Sequence, residues 1–245
     1  MLFLFGSIIF SSYLTLSFKV LQRYGIHLMQ AIVFNYWTCV ITGSVVNGHF
    51  PIHAGTVNEK WFQWACLMGA MFFVIFNIIG FTAQKISVAV ASVANKLSLI
   101  IPFIFSVYLY NEETTLLKIT GVIIALAAVV LTCYPQKKED TAVPASKWLL
   151  IIPVILFFSS GLLDTLIKYV EQQFLNDDNK NDYLVGAFAA AGTVGTAVMS
   201  FLLFTGKMKF DKRSILAGII IGIPNYFSIW CLVRVLKDYA ANSSQ

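Results

Sequence analysis

Hydrophobic residues occur in long runs that short polar or charged segments separate. A helix needs about 20 apolar residues to cross the hydrocarbon core of a bilayer, and the charged residues divide this chain into segments of about that length. The pattern predicts eight membrane-spanning helices, at residues 2–18, 26–46, 61–83, 86–110, 115–134, 148–170, 183–206 and 214–233. The short alternating segments of a membrane β-barrel do not appear. We therefore expect an all-α, polytopic membrane helical bundle.

A polar linker divides these helices into two unequal groups. Residues 135–147 are rich in charge and contain two prolines, which is typical of a connection between units. The linker separates a first unit of five helices, residues 1–134, from a second unit of three helices, residues 148–245.

The two units share short sequence matches. The segment Phe10-Ser-Ser-Tyr-Leu14 resembles Phe158-Ser-Ser-Gly-Leu162, and the same spacing separates Asn77 from Asn225. A chain so rich in apolar residues also produces such matches by chance, so they indicate a repeat without proving one. If a unit has five spans, an odd number, the second copy is inverted in the membrane, as in many transporters.

The composition supports membrane insertion and excludes several other classes. Of the 245 residues, 58% are hydrophobic and 12% are charged, whereas globular proteins carry about 25% charged residues. A soluble domain, a disordered chain and a nucleic-acid-binding module are therefore not expected. The net charge of +5 comes from basic residues between the apolar runs, where they face anionic lipid headgroups.

The basic residues are unequally divided between the two sides of the predicted bundle. One side, which includes the linker, carries Lys19, Arg23, Lys85, Lys137, Lys138, Lys147, Lys207, Lys209, Lys212 and Arg213. The other side carries Lys60, Lys118, Lys168, Lys180, Arg234 and Lys237. The positive-inside rule places the linker in the cytoplasm and the N-terminus outside.

Lys96 is the residue that most strongly indicates function. It follows about ten residues of the fourth span, which places it about 15 Å deep in the membrane. A lysine at that depth costs about 2.5–3.5 kcal/mol of insertion free energy, so it needs a partner or a water-filled cavity. Small and polar neighbours, including Ser92 and Asn95, suit a cavity wall. The alternatives are a structural salt bridge, with Asp164 as a partner, or an amine that reaches the membrane interface.

Acidic residues near the membrane offer coupling or gating positions. Asp164 and Lys168 are four residues apart on the sixth helix, so they are expected to pair with each other; if Asp164 instead lies in a cavity, it becomes a proton or cation site. Glu112 and Glu113 follow the fourth span and are expected to mark its solvated end.

Small residues and a proline characterise the last two spans. Gly218 and Gly222 allow close helix packing, and Pro224 removes a backbone hydrogen bond within the eighth span. The seventh span carries a stripe of small residues. Close packing accounts for these features, and a bending helix would also use them.

Catalytic and metal-binding motifs do not appear in the sequence. There is no HExxH motif, GxSxG elbow or P-loop, and His27, His49 and His53 lack ligand spacing. The four cysteines lie in or beside hydrophobic runs without CxxC pairs. We expect no enzyme activity, no cofactor and no metal site.

Three segments resemble a known family. They are residues 83–102, with the small-residue segment Ser-Val-Ala-Val-Ala-Ser-Val-Ala and Pro102, then Tyr110-Asn-Glu-Glu113, and Gly121-Val-Ile-Ile-Ala-Leu. In this order they resemble the EamA-like transporters of the drug/metabolite transporter superfamily. The polar linker and the sixth helix also fit, so the resemblance covers the whole chain.

The resemblance implies ten helices in two inverted halves of five, a central cavity and alternating access. It implies that Ser92, Asn95 and Lys96 face the cavity, and that Glu112 or Glu113 occupies an acidic position of the family. The chain departs from the pattern because it ends where a ninth and a tenth helix should follow. Residues 238–245 resemble the opening of the ninth helix, and we expect an incomplete second unit. Family members are usually drawn with cytoplasmic termini, against the loop count given above.

We therefore expect a multi-pass secondary transporter of a small polar metabolite or drug in a cell membrane, specifically a bacterial inner membrane. Its partners are the bilayer and a small-molecule substrate, without nucleic acid, and a homodimer is left open. The expected substrate-binding residues are Lys96, Asn95, Ser92, Asn77 and Asn225; the expected coupling or gating residues are Asp164, Pro224, Glu112 and Glu113. The main alternative is a non-transporting scaffold or subunit with a structural lysine, and a membrane enzyme is a remote third.

Overall fold

The chain is helical in a computed structural model that describes residues 2–110, 116–133, 147–176 and 178–243. These residues contain no β-strand. The α-helices are α1 (Leu2–Arg23), α2 (Leu28–Asn47), α3 (Phe62–Lys85), α4 (Val88–Leu97), α5 (Ile100–Tyr110), α6 (Leu116–Cys133), α7 (Lys147–Phe174), α8 (Lys180–Phe204) and α9 (Arg213–Ser243), and a short 3₁₀ helix, η1 (Ala54–Asn58), precedes α3.

Six helical segments of the described chain are long and apolar enough to cross a membrane. They are Leu28–Asn47, Phe62–Lys85, Val88–Phe105, Ile151–Phe174, Lys180–Phe204 and Arg213–Arg234. These segments confirm helices at six of the eight predicted spans. Helices α1 and α6 lie at the positions of the other two, the first and the fifth. Together with the composition, the six segments indicate a membrane protein.

The fourth predicted span differs from expectation because it is two helices. Helix α4 ends at Leu97 and α5 begins at Ile100. Pro102 explains the interruption, since a proline ring clashes with the carbonyl group four residues earlier, here that of Ser98. The Ser98 carbonyl oxygen instead accepts a hydrogen bond from the Ile101 N–H at 2.9 Å. The chain therefore turns tightly within an apolar segment.

The eighth predicted span also differs, because α9 continues beyond Val233 to Ser243. No separate helix opens near Asp238. Residues 234–243 contain neither glycine nor proline and include several good helix formers. Their polarity marks the end of the apolar segment without ending the helix.

The second unit packs into the first. Helix α8 packs against both α2 and α3, α9 packs against α1 and α2, and α7 contacts α3, α4 and α5. Most of the buried apolar side chains form one core among these helices. Within this core Phe188 is stacked on Phe72 and tilted against Tyr36, with ring centroids 5.8 and 6.2 Å apart.

Glycines permit the closest contacts, as the sequence predicted for Gly218 and Gly222. A Cβ atom on Gly218 would lie 2.8 Å from the Phe34 carbonyl carbon and 2.9 Å from the Asn35 nitrogen. A Cβ on Gly222 would lie 2.8 Å from the Asn35 carbonyl oxygen. Backbone of α2 therefore fills the space beside α9. Gly69 of α3 meets backbone of α8 in the same way.

Polar contacts bring several turns together at one end of the bundle. Lys19 donates to the Gln84 carbonyl oxygen at 3.0 Å, and Gln30 donates to the Lys209 carbonyl oxygen at 2.7 Å. The Asp211 N–H donates to Gln30 Oε1 at 2.9 Å. We call this the basic end; it comprises the turns at residues 24–27, 86–87 and 205–212, with the helix termini beside them. Its basic residues belong to the more positive side predicted from the loops.

Candidate functional site

Charged residues of two helices meet beside the interruption between α4 and α5. Lys96 lies in the last turn of α4, and Asp164 of α7 interacts with it electrostatically. Ser98 is fully buried in the turn; its hydroxyl donates to the Asn95 carbonyl oxygen at 2.6 Å and lies 3.5 Å from Asp164 Oδ2. We call Lys96, Ser98 and Asp164 the Lys96–Asp164 site.

The helix interruption helps to explain this arrangement. Because Pro102 stops a continuous helix at Ser98, the serine lies in a turn instead of on a regular helix face. The last carbonyl groups of α4 carry partial negative charge, which favours the Lys96 ammonium group in that turn. Helices interrupted inside an apolar layer are recurrent positions of substrate and ion sites in transporters.

One of the alternatives for Lys96 was an interaction with Asp164, and the two side chains lie close enough to affect each other electrostatically. Lys96 is exposed on the described chain, whereas Asp164 is half-buried. Asp164 thus has a cationic neighbour on another helix. A carboxylate and an ammonium group placed together in an apolar layer cost less free energy than either group alone.

The rest of α4 is lined with small or polar residues, as the sequence indicated. Ala91 and Ala94 are fully buried, and Ser92 and Asn95 are half-buried. The segment Val88–Phe105 is the least buried of the six apolar segments. The structure therefore places Ser92, Asn95 and Lys96 on a helix that its neighbours cover only in part.

Asn77 of α3 lines a different space. Its Nδ2 donates to the Phe73 carbonyl oxygen at 2.8 Å, within its own helix. It also borders an open pocket of about 450 Å³, whose other walls include Val74, Phe81 and Ile155. All the residues that line this pocket except Asn77 are apolar.

Asn225 of α9 lies within a helix contact. It is fully buried, and its Nδ2 donates to Oδ1 of Asn35 of α2 at 3.1 Å. Nearby, the Cys39 thiol donates to the Gly222 carbonyl oxygen at 3.3 Å. The amide pair therefore joins α2 to α9 beside Pro224, around which α9 continues without interruption.

Two predicted positions cannot be placed, and several functional candidates were missed. Glu112 and Glu113 lie outside the described residues. Asn35 and Ser98 were not singled out from the sequence, although a polar residue in a long apolar run is a usable signal for both. Among the described residues, Asn35 Nδ2, Asn225 Oδ1 and the Tyr226 hydroxyl are buried without a hydrogen-bond partner.

The Lys96–Asp164 site combines two groups of opposite charge with a hydroxyl group. Lys96 supplies a cation and Asp164 an anion that can carry a proton, with a serine hydroxyl beside them. The described residues contain no group of three or more His, Cys, Asp or Glu side chains suited to a metal ion. Ammonium, carboxyl and hydroxyl groups such as these can form ionic contacts and hydrogen bonds with a charged or polar solute.

No protein-family model matches the chain, and no solved structure matches it. The chain is similar to a protein of Haemophilus influenzae described only as uncharacterized, with 23% identity over 235 residues. The match covers 91% of this chain and 75% of the relative.

We expect replacement of Pro102 by alanine to join α4 and α5. Alanine restores an N–H group and removes the ring clash, so amide hydrogen exchange at residues 98–101 should slow by about tenfold or more. Mass spectrometry of peptides from protein in nanodiscs would measure this. Pro153→Ala is the matched control, because Pro153 lies inside the continuous helix α7. Equal exchange at residues 98–101 in the wild type and Pro102→Ala would assign the interruption to another cause.

Proposed function

We propose that this chain is a multi-pass secondary transporter that moves a small polar metabolite or drug across a bacterial cell membrane by alternating access. We further propose that it is related to the drug/metabolite transporters, with the basic end in the cytoplasm. The interaction of Lys96 with Asp164 beside an interrupted helix is the observation that carries this proposal. Intramembrane ionisable residues generally mark substrate or ion pathways.

Charge balance at the site favours a substrate with an anionic group. Such a group can replace Asp164 beside the Lys96 ammonium, and the released carboxylate is then left in an apolar layer away from that ammonium. A proton that enters with the substrate neutralises it, because an isolated charge is costly there. In this mechanism Lys96 binds substrate and Asp164 couples binding to a proton.

The packing of the two units supports an arrangement in related halves. Gly218 brings α9 against backbone of α2, and Gly69 brings α3 against backbone of α8. If α2 and α3, the second and third helices of the first unit, correspond to α8 and α9, the second and third helices of the second unit, these two contacts are counterparts. We therefore retain an inverted repeat as part of the proposal.

Proteoliposomes that contain a pH-sensitive dye test transport directly, on a solid-supported membrane that also records current. A monoanion that enters with one proton carries no net charge but acidifies the interior, so the two signals are read together as the transport signal. The proteoliposomes would be exposed to panels of amino acids, carboxylic acids and amines, with wild type beside Lys96→Ala. We expect a transport signal for at least one panel and a decrease of about tenfold or more in the variant, the loss of one ionic contact worth at least 1.4 kcal/mol. Lys60→Gln, outside the membrane segments, is the control and should keep the wild-type signal.

Two results would contradict the proposal. The first is the absence of both current and internal acidification for every panel with folded wild-type protein. The second is an unchanged transport signal in Lys96→Ala, which would remove Lys96 from the site.

The second candidate function is a non-transporting membrane scaffold or subunit. The observation that favours it is the interaction of Asp164 with Lys96 itself, because the two charges can compensate each other without any substrate. In that case the site only fixes α4 against α7. A double variant that replaces both Lys96 and Asp164 by apolar residues separates the two functions.

A further inference from the structure

A long apolar groove lies between α1 and α9. It has a volume of about 480 Å³. Its apolar walls include Leu16, Val20 and Leu21 of α1 and Leu216, Ile220 and Ile221 of α9. Tyr13 lines the groove in the middle of α1, and Tyr24 and Arg213 line it at the basic end.

The length of the groove matches one leaflet of a bilayer. From Tyr13 to Tyr24 the chain advances about 16 Å at 1.5 Å per helical residue. Half of the hydrocarbon core of a bilayer is about 15 Å. The groove thus extends from the basic end to about the middle of the membrane, as one acyl chain of a phospholipid does.

Arg213 places a cation at the end of the groove, and two of its guanidinium N–H bonds are not used within the described part of the protein. Its Nε and Nη2 donate to the two carboxylate oxygens of Asp211 at 3.1 Å, and its Nη1 donates to the Tyr24 carbonyl oxygen at 3.3 Å. The Arg213 side chain is 64% exposed. A guanidinium group has five N–H bonds, so two more can reach a ligand while these contacts persist.

The surroundings of Arg213 are strongly basic. Exposed lysines at positions 207, 209 and 212 precede it, and Arg23 ends the neighbouring helix α1. Asp211 is the one acidic residue within 205–213; hydrogen bonds from Arg213 hold the pKa of its carboxyl below the usual range. The end of the groove is therefore positive even after Asp211 is counted. Basic pockets between membrane helices on the cytoplasmic side bind anionic headgroups.

We propose that the groove between α1 and α9 is a binding site for an anionic phospholipid. One acyl chain fills the groove, and the headgroup phosphate contacts Arg213 and the lysines before it. This site is separate from the Lys96–Asp164 site, so its occupancy does not depend on the proposed transport.

Two adjacent residues of α9 provide a matched test of the groove. Ile220 lines it, whereas Ile219 does not; both are exposed, 51% and 43%. Ile220→Trp fills the groove, and Ile219→Trp adds the same side chain elsewhere on the same helix turn. Native mass spectrometry would count bound phosphatidylglycerol and phosphatidylcholine after equal amounts of each are offered in detergent.

The expected results separate the acyl chain from the headgroup. Wild type and Ile219→Trp retain a bound lipid with preference for phosphatidylglycerol, and Ile220→Trp loses both lipids. Arg213→Gln should retain a lipid but lower the ratio of phosphatidylglycerol to phosphatidylcholine about fivefold. Lys60→Gln, at the opposite end, should leave the ratio unchanged.

Three outcomes would overturn the proposal. The first is equal lipid loss in the two tryptophan variants, which would indicate only a non-specific lipid shell. The second is equal binding of the two lipids by wild type. The third is a ratio of phosphatidylglycerol to phosphatidylcholine in Arg213→Gln that equals the wild-type ratio. The last variant changes an exposed side chain, so it decides the headgroup assignment even if Ile220→Trp does not fold.

Discussion

Replacing Lys96 by methionine should destabilise the protein by about 3 kcal/mol, because it leaves Asp164 in an apolar segment without its cation. Asp164→Leu should have a similar effect by isolating Lys96. The double variant Lys96→Met with Asp164→Leu should recover to within about 1 kcal/mol of wild type, since two apolar side chains can replace a charged pair. Unfolding in mixed micelles as the fraction of denaturing detergent rises would measure the three free energies of unfolding.

The same double variant distinguishes the two proposed functions. A transporter that uses the pair should lose its transport signal while its stability recovers. A scaffold should retain its stability and its partners. Strict additivity of the two single effects would show that Lys96 and Asp164 do not interact energetically, which contradicts the site as described.

Replacing Gly218 by alanine should destabilise the protein by about 3 kcal/mol, the upper part of the range for overpacking. The added Cβ would meet the backbone of α2 at Phe34 and Asn35, and backbone cannot move aside as a flexible side chain can. Gly121→Ala of α6 is the matched control: a Cβ there meets nothing within 4 Å. It should be neutral or stabilising by up to about 1 kcal/mol.

Melting temperatures of the two variants in the same detergent would measure this difference. Equal melting temperatures would show that α2 and α9 can separate without cost. The close contact would then have no role in holding the two units together.

The positions of the apolar segments could be predicted because bilayer thickness fixes their length. The interruption between α4 and α5 was missed, although Pro102 was visible, because the hydrophobic run continues through it. A run of apolar residues indicates that the segment lies in lipid, but it does not indicate whether the helix through that run is continuous. For the same reason the end of α9 was placed too early: polarity begins near Arg234, but helix-forming residues follow.

The candidate site could be predicted in part. Lys96 was evident because a cation in an apolar segment is costly wherever its helix lies. Its interaction with Asp164 was left as one alternative, because the spacing of four residues on one helix favoured Lys168 as the partner of Asp164. Contacts between different helices cannot be predicted from the spacing of residues along the sequence. Asn35 was missed because its partner, Asn225, is on a helix far along the chain.

The contacts of Gln30 and Asn35 have a consequence for the order in which the protein is synthesised. Both side chains belong to α2, yet their partners, at residues 209, 211 and 225, emerge from the ribosome much later. Until then the Asn35 amide lies without its partner in a helix that has already entered the membrane, whereas Gln30 lies at the basic end. The insertion machinery must therefore shelter α2, or water must accompany it, until the last helix arrives to complete the fold.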